Sequence, residues 1–495
     1  MEPMGDKVVS SDQKHIPEIV DGLPTICGFD EQVAEATNSI KAVFEPTTNI
    51  ALKNIQSAFA IALHMHQPTI PAGGEELLTA ALINNLQHMF DHPDEGDNHN
   101  ASVFAWCYSR IADFIRELVD QGQNPRVMLD YSGNLLWGVR QMGKGDILEN
   151  LKTITCDDRY SPYVEWLGTM WGHAVVSSTP IPDFTLHMRA WQHHFAAIFG
   201  LKALSRVKGF SPPEMHLPNH PDVCYEYVKA LKECGYKWLL LQEHTVENLD
   251  GSGLSRQHLP HKLVARNSKG GTVSITTLIK TQGADTKLVA QMQPFYEAKG
   301  LNRIDFNGIN IPPLVTQIGD GENGGVMMNE FPDGFKNAFN QIGREGVVSL
   351  NGTEYLELIE TAGCTPDHYI PIQPLHQHLV WERMEKGNER DVNDVIDEIK
   401  KENHNFHMDG GSWTNNLSWV EGYENVLSPM NRLSALFHEK LDSPSIDKNS
   451  RNYRNALLHL LISQTSCFRY WGEGDWTDYA REICRRGMEI ITKNF

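Results

Sequence analysis

The sequence predicts an α/β fold on a parallel sheet that is closed, or nearly closed, into a barrel, and three observations predict it. From residue 57 onward, short apolar segments alternate with segments of helical period, the pattern of parallel strands joined by helical crossovers. Histidines and acids cluster where those apolar segments end, and α/β barrels assemble their sites at the C-terminal ends of their strands. No P-loop sequence occurs, which removes one support for an open nucleotide-binding sheet.

Residues 1 to about 55 are polar and carry one amphipathic helix, expected at Glu31 to Phe44. SAFAIALHMHQPTIP (57–71) is an apolar strand that runs out into His64, His66, Gln67 and Pro68. Leu82, Leu86, Met89 and Phe90, then Phe104, Ile111, Phe114, Ile115 and Leu118, keep helical spacing. RVMLDYSGNLLWG (126–138) is a second strand closing on Ser132-Gly133, and TMWGHAVVSSTPIP (169–182) is a third strand-like piece carrying His173. Helices are expected from about Leu186 to Phe199 and around Val223 to Cys234, on either side of KGFSPPEMHLPNH (208–220). YKWLLLQEH (236–244), GTVSITTLI (271–279) and IPPLVTQIGDGE (311–322) are further short apolar strands, the first and last ending in polar residues.

After about residue 385 the character shifts. Val392, Val395, Ile396 and Ile399 form an apolar stripe on a charged helix. RNYRNALLHLLISQTSCFRYW and DWTDYAREICRRGMEIITK are two more helices, the second expected to be capped by Asp475 or Thr477. The expected organisation is an N-terminal extension (1–55), a barrel (56–385) and a small helical domain (386–495). In that domain the loop DGGSWTNNLSW and the pair Tyr470-Trp471 face the cleft.

At 495 residues, 40% apolar and 21% charged, the chain has the size and balance of a globular protein of two or three domains. A net charge of −20 without basic patches argues against nucleic acid or an anionic membrane as partner. Eight scattered cysteines without a CxxC pair suit reduced thiols in the cytoplasm. The N-terminus has no hydrophobic signal core and no run of about eighteen apolar residues occurs, so a soluble, cytoplasmic protein is expected.

Glu214 follows Pro212-Pro213, with Pro218 and Pro221 beyond. Proline fixes φ, so this carboxylate sits on a stiff loop, as a reacting group must. A second acidic stretch, QIGDGENGG (317–325), sets Asp320 and Glu322 between glycines. Two carboxylates on separate strand ends are the minimum equipment for glycoside hydrolysis, one attacking carbon or activating water and one protonating the leaving oxygen. His64, His66 and His173 would add hydrogen bonds, tryptophans would add stacking faces, and Gln242 and Glu243 are further contact candidates. A competing reading makes His64, His66 and Asp320 the ligands of a metal-dependent carbohydrate hydrolase such as a deacetylase. Strand alternation permits that set, though HxH spacing alone is weak.

Taken together, the motifs resemble those of glycoside hydrolase family 57, the α-glucan-active group of amylases, 4-α-glucanotransferases and branching enzymes. His66-Gln67-Pro68, Tyr131 to Leu136, Gly209 to Glu214, Asp320 to Asn323 and Ser463 to Trp471 match that family's motifs in order. Gly172-His173 with Pro180 and Asp183 is similar to its segment before the nucleophile. The resemblance implies an incomplete (β/α)7 barrel with a C-terminal helical bundle and a retaining mechanism without cofactor. It further implies Glu214 as nucleophile and Asp320 as general acid/base, with His66, Gln67, His173, Glu322, Trp413 and Trp471 as substrate contacts. An α-glucan would be the substrate, and no metal would be bound. Trp137, Ser211 and Thr465-Ser466-Cys467 depart from the family's usual residues. All three departures bear on substrate binding, and they leave room for a catalytically silent glucan-binding protein.

Overall fold

The computed structural model describes residues 15–281, 286–322, 324–342, 346–386, 390–412, 424–470 and 474–495. Among them, eleven strands form one sheet: β1 (Ser57–Met65), β2 (Val127–Tyr131), β3 (Val164–Trp166), β4 (Gly209–Phe210), β5 (Trp238–Gln242), β6 (Val246–Asn248), β7 (His261–Arg266), β8 (Thr272–Lys280), β9 (Leu314–Asp320), β10 (Val347–Ser349) and β11 (Ile370–Pro374). Parallel pairing runs from β1 to β2 to β3, then through a Gly168–Phe210 bridge to β4. It continues through β5 and β8, crosses to β9 at the single pair Lys280–Thr316, and returns from β9 to β1. β10 adds in parallel to β1, while β7, β11 and β6 extend the sheet beyond β8 with mixed directions.

The near-continuous apolar character of β1 follows from burial on both faces. Ala58, Ala60 and Ala62 pack with Met128, Leu240, Leu278 and Ile318 on one side. The alternate residues Phe59, Ile61, Leu63 and Met65 pack against helix residues such as Ile111, Ile115 and Phe335 on the other. Register makes Ile318, Ala62 and Met128 one cross-strand row, and the next row on the same face is Asp320, His64 and Asp130. Alternation thus carries the small-residue face of the sheet into a polar row at the C-terminal strand ends.

Around the sheet lie α1 (Ala101–Asp120), α2 (Gly133–Gln141), α3 (Asp183–Phe199), α4 (Pro221–Glu233), α5 (Gly352–Thr361) and α6 (Val392–Glu402). Helix α1 buries Ile111, Phe114, Ile115 and Leu118, the stripe its spacing predicts. Helix α2 starts where the Ser132 hydroxyl accepts the Leu135 N–H. Three further helices, α7 (Glu424–Leu441), α8 (Arg451–Ser463) and α9 (Asp475–Asn494), pack on one another. Their Leu433, Leu457 and Ile483 belong to the same apolar cluster as Phe59, and so do Ile16, Ile26 and Val33 from the N-terminal segment. No described helix is long and apolar enough to cross a membrane.

Three expectations are corrected, and one helix was not expected. The helix expected to reach Phe44 covers only Asp30–Thr37, because the Glu357 carboxylate takes the backbone N–H groups of Val43, Phe44 and Glu45. Residues 169–182 are turns and a short 3-10 helix (Val176–Ser178), not a strand; the strand is Val164–Trp166. Gly172 lies so close to the Leu461 carbonyl that a Cβ would stand 2.1 Å from its oxygen, and the apolar residues here are buried by loop packing. Helix α9 has neither expected cap: Asp475 is its first residue and Gly474 precedes it without a side-chain bond. Helix α7, which contains Pro429, lay outside the sequence expectation altogether.

Candidate functional site

The polar row Asp320–His64–Asp130 is set by sheet register, with His64 between two aspartates. The His64 Nδ1 lies 2.9 Å from the Asp130 carboxylate. Burial alone would lower the imidazole's affinity for a proton, but the charge and hydrogen bond of Asp130, with Asp320 and Glu322 behind, hold its pKa at about 10. His64 is therefore a buried cation at neutral pH.

Two more imidazoles stack on it. The His173 ring lies 4.7 Å from that of His64 and 4.0 Å from that of His66, nearly parallel to the latter at 16°. Burial, together with the nearby histidines, holds His66 and His173 well below the ordinary histidine range, so both are neutral. His66 Nδ1 meets the Ser132 hydroxyl at 2.7 Å and Nε2 meets Thr465 Oγ1 at 3.2 Å. His173 Nδ1 meets Ser466 Oγ at 2.8 Å, while its Nε2 is buried without a hydrogen-bond partner among the described residues.

Glu214 reaches this stack from the loop after β4, its Oε1 standing 3.8 Å from His173 Nδ1. Its backbone is left-handed, φ 59° and ψ 19°, and Met215 follows at φ 49°. Such positions cost a non-glycine residue about 1–3 kcal/mol each and persist only where the surroundings over-determine them. Here the Met215 and His216 N–H groups donate to the carbonyls of Pro212 and Pro213. Leu217 and Gly411 exchange backbone bonds of 2.9 and 3.2 Å. Asn219 donates to the His407 carbonyl and accepts the Gly410 N–H. His173 is left-handed too, at φ 56°.

Glu322 lies beneath the histidines, accepting the His66 N–H at 3.1 Å. Burial, then the neighbouring Asp320 charge, raises its pKa to about 8, so it holds a proton at neutral pH. The Gln67 Oε1 accepts from Asn85, tying that side chain to the following helix. Trp137 is buried against Trp171, ring centres 6.3 Å apart, and belongs to the core. Gln242 is buried at the end of β5, in register with Lys280. Trp413 and Trp471 lie outside the described residues, as do Trp419 and Asn323.

The structure thus brings His64, His66, His173, Glu214, Asp320 and Glu322 into one cluster. It also adds members that motif reading passed over. Asp130 fixes the charge of His64, and its signal was alternation, since it stands two residues beyond inward-facing Met128. Thr465 and Ser466, read only as departures, are the hydroxyls that hold His66 and His173, with the Cys467 thiol 3.5 Å from His66. Lys280 is buried at the end of β8, its pKa lowered to about 8 by burial against the charge of Glu243. The metal reading finds little support, because His173 intervenes between His64 and His66 and both His66 ring nitrogens face hydroxyls. Among the described residues, no group of three or more His, Cys, Asp or Glu is arranged to hold a metal ion.

No family model and no curated protein matches the chain by sequence. Solved structures do match it. A 4-α-glucanotransferase from Thermococcus litoralis is 15% identical over 89% of this chain and 60% of that one, with a TM-score of 0.54. An exo-type maltose-forming amylase from Pyrococcus sp. ST04 is 11% identical over 88% of this chain and 73% of that one, with a TM-score of 0.50. A GH57-type branching enzyme from Pyrococcus horikoshii is 13% identical over 88% of each chain, with a TM-score of 0.42. The chain spans 60% of the length of the glucanotransferase. Identities this low speak to architecture alone: the chain shares its fold with the glucanotransferase and the maltose-forming amylase.

Proposed function

We propose that the chain is a retaining glycoside hydrolase or transglycosylase acting on α-glucans, with Glu214 as nucleophile and Asp320 as acid/base. One observation carries the reading: carboxylates from two distant segments flank a single imidazole stack, Glu214 against His173 and Asp320 beside His64. The fold shared with α-glucan-processing enzymes supports the substrate class. The path of parallel pairings supports a seven-strand barrel of β1, β2, β3, β4, β5, β8 and β9, with thin seams at Gly168–Phe210 and Lys280–Thr316. The organisation we propose is an N-terminal segment to residue 55, this barrel to 385 and a helical domain from 386 that contributes to the cleft. Eight free cysteines are consistent with a cytoplasmic setting.

In this mechanism a Glu214 oxygen forms a bond to the anomeric carbon as the glycosidic C–O bond breaks. Asp320, in its protonated form, delivers a proton to the departing oxygen, then takes one from the water or sugar hydroxyl that resolves the glycosyl-enzyme. Retention requires the two carboxyl groups about 5–5.5 Å apart. Neutral His173 stands beside the nucleophile without sharing its charge, and its Nε2 is proposed to meet a sugar hydroxyl. Glu322 orients His66 from below, and Gln67 anchors the same turn. Trp413 and Trp471 are proposed as stacking faces. The His64 cation stabilises the anionic charge gathered in the row. Incubation with maltooligosaccharides and amylose, with products resolved by length and branching, tests the reading. Release or redistribution of glucan units that disappears in Glu214→Gln is expected, and intact glucan with the native protein would refute it.

A further inference from the structure

A second cavity, of about 350 Å³, opens at the opposite ends of the strands, beside the first residues of β4 and β5. It is lined by Lys41, Lys208 and Lys237 together with Glu357, Glu360 and Tyr369. Three lysines around one cavity stand out in a chain whose net charge is −20. The Glu357 carboxylate is already engaged by three backbone N–H groups, those of Val43, Phe44 and Glu45. Lys208 is only 4% exposed, and among the described residues its ammonium has one acceptor, the Ser39 carbonyl at 2.7 Å. Among the described residues, no ion pair joins Lys41, Lys208 or Lys237 to a carboxylate. A buried ammonium held by a single carbonyl is expensive unless an anion completes its shell. Burial and then the charge of Lys237 lower the Lys208 pKa to about 8, against the opposing charge of Glu357, which leaves it mostly protonated at neutral pH.

We propose that this cavity binds a small phosphate-bearing molecule, its phosphate between Lys208 and Lys237. The volume exceeds what a phosphate alone needs, and the Tyr369 ring on the lining offers an apolar face to the remainder. The site is separate from the histidine cluster, so it stands or falls independently of the glucan reading.

Calorimetric titration of the full chain with inorganic phosphate and with glucose 6-phosphate tests it. Saturable binding of one molecule per chain is expected, weakened at least tenfold in Lys237→Gln, whose exposed position leaves folding intact. Lys208→Met should weaken it further, with unchanged thermal unfolding as the folding check, and Glu214→Gln should leave it unaltered. Tighter binding of the ester assigns the site to a phosphorylated sugar, and equal binding assigns it to free phosphate. Absence of saturable binding, or binding indifferent to Lys237→Gln and to a folded Lys208→Met, overturns the proposal.

Discussion

Asp320 and Glu214 arrive at the same imidazole stack by opposite means. Asp320 ends a regular strand and is aligned by register with His64. Glu214 leaves the sheet after a two-residue strand and is aimed by a left-handed backbone that proline and a Leu217–Gly411 clasp hold in place. The difference teaches that a strand end positions a side chain through pairing alone, whereas a loop must store strain to do so. The first arrangement should tolerate substitution in its backbone preferences poorly, and the second should reward a residue that is content at positive φ.

The largest expected effect removes either acid while keeping its shape. Glu214→Gln and Asp320→Asn should each lower α-glucan turnover by roughly a thousandfold or more, with circular dichroism unchanged. If only one of them matters, the paired-carboxylate reading is broken. Next in size is Asp130→Ala, which leaves the His64 cation buried without its partner and should cost about 3–5 kcal/mol in denaturant unfolding. The sign with pH follows from His64, whose pKa of about 10 lies above its ordinary 6.5. The stabilisation is whole below pH 6.5 and is lost as pH rises towards 10, so the gap between native protein and variant should close over that interval.

Ser466→Ala orphans the His173 Nδ1 and should cost about 1–3 kcal/mol, while lowering turnover about tenfold. Thr465→Val should do less, since His66 keeps its 2.7 Å bond to Ser132. The smallest effect is the sharpest probe of the two placements. Glu214→Gly should be more stable than Glu214→Ala by about 1 kcal/mol, because glycine adopts positive φ freely. Asp320→Gly should be less stable than Asp320→Ala by about 0.5–1 kcal/mol, because glycine weakens a strand. Matching differences at the two positions would erase the distinction.

The same contrast explains what could be read in the sequence. Strand-end chemistry was legible because alternation and register are local rules: His64, Asp320 and the apolar runs before them announce themselves. The His64–Asp130 pair follows from the same rule applied across two strands, since Met128 and Asp130 share a face with Ala62 and His64. Loop chemistry was legible only as a motif. Nothing in KGFSPPE specifies that two consecutive residues go left-handed, because the clasp that enforces it comes from Gly410 and Gly411, nearly two hundred residues away. TMWGHAVV looked like a strand because its apolar residues are buried, yet the packing of Gly172 on the Leu461 carbonyl turns the chain aside. Helix α7 escaped notice since its Pro429 interrupts the local signal. Thr465 and Ser466 looked like losses until the fold placed them against the two neutral histidines.

The central claim is that Glu214 is the group that becomes covalently attached to sugar. Reaction of the native chain with a 5-fluoro-α-glucosyl fluoride, followed by proteolysis and mass spectrometry, tests it most directly. A fluoroglucosyl adduct on the peptide carrying Glu214, with Asp320 unmodified, is the predicted result. An adduct on another residue, or inversion of the anomeric centre in the products of the native protein, would contradict it.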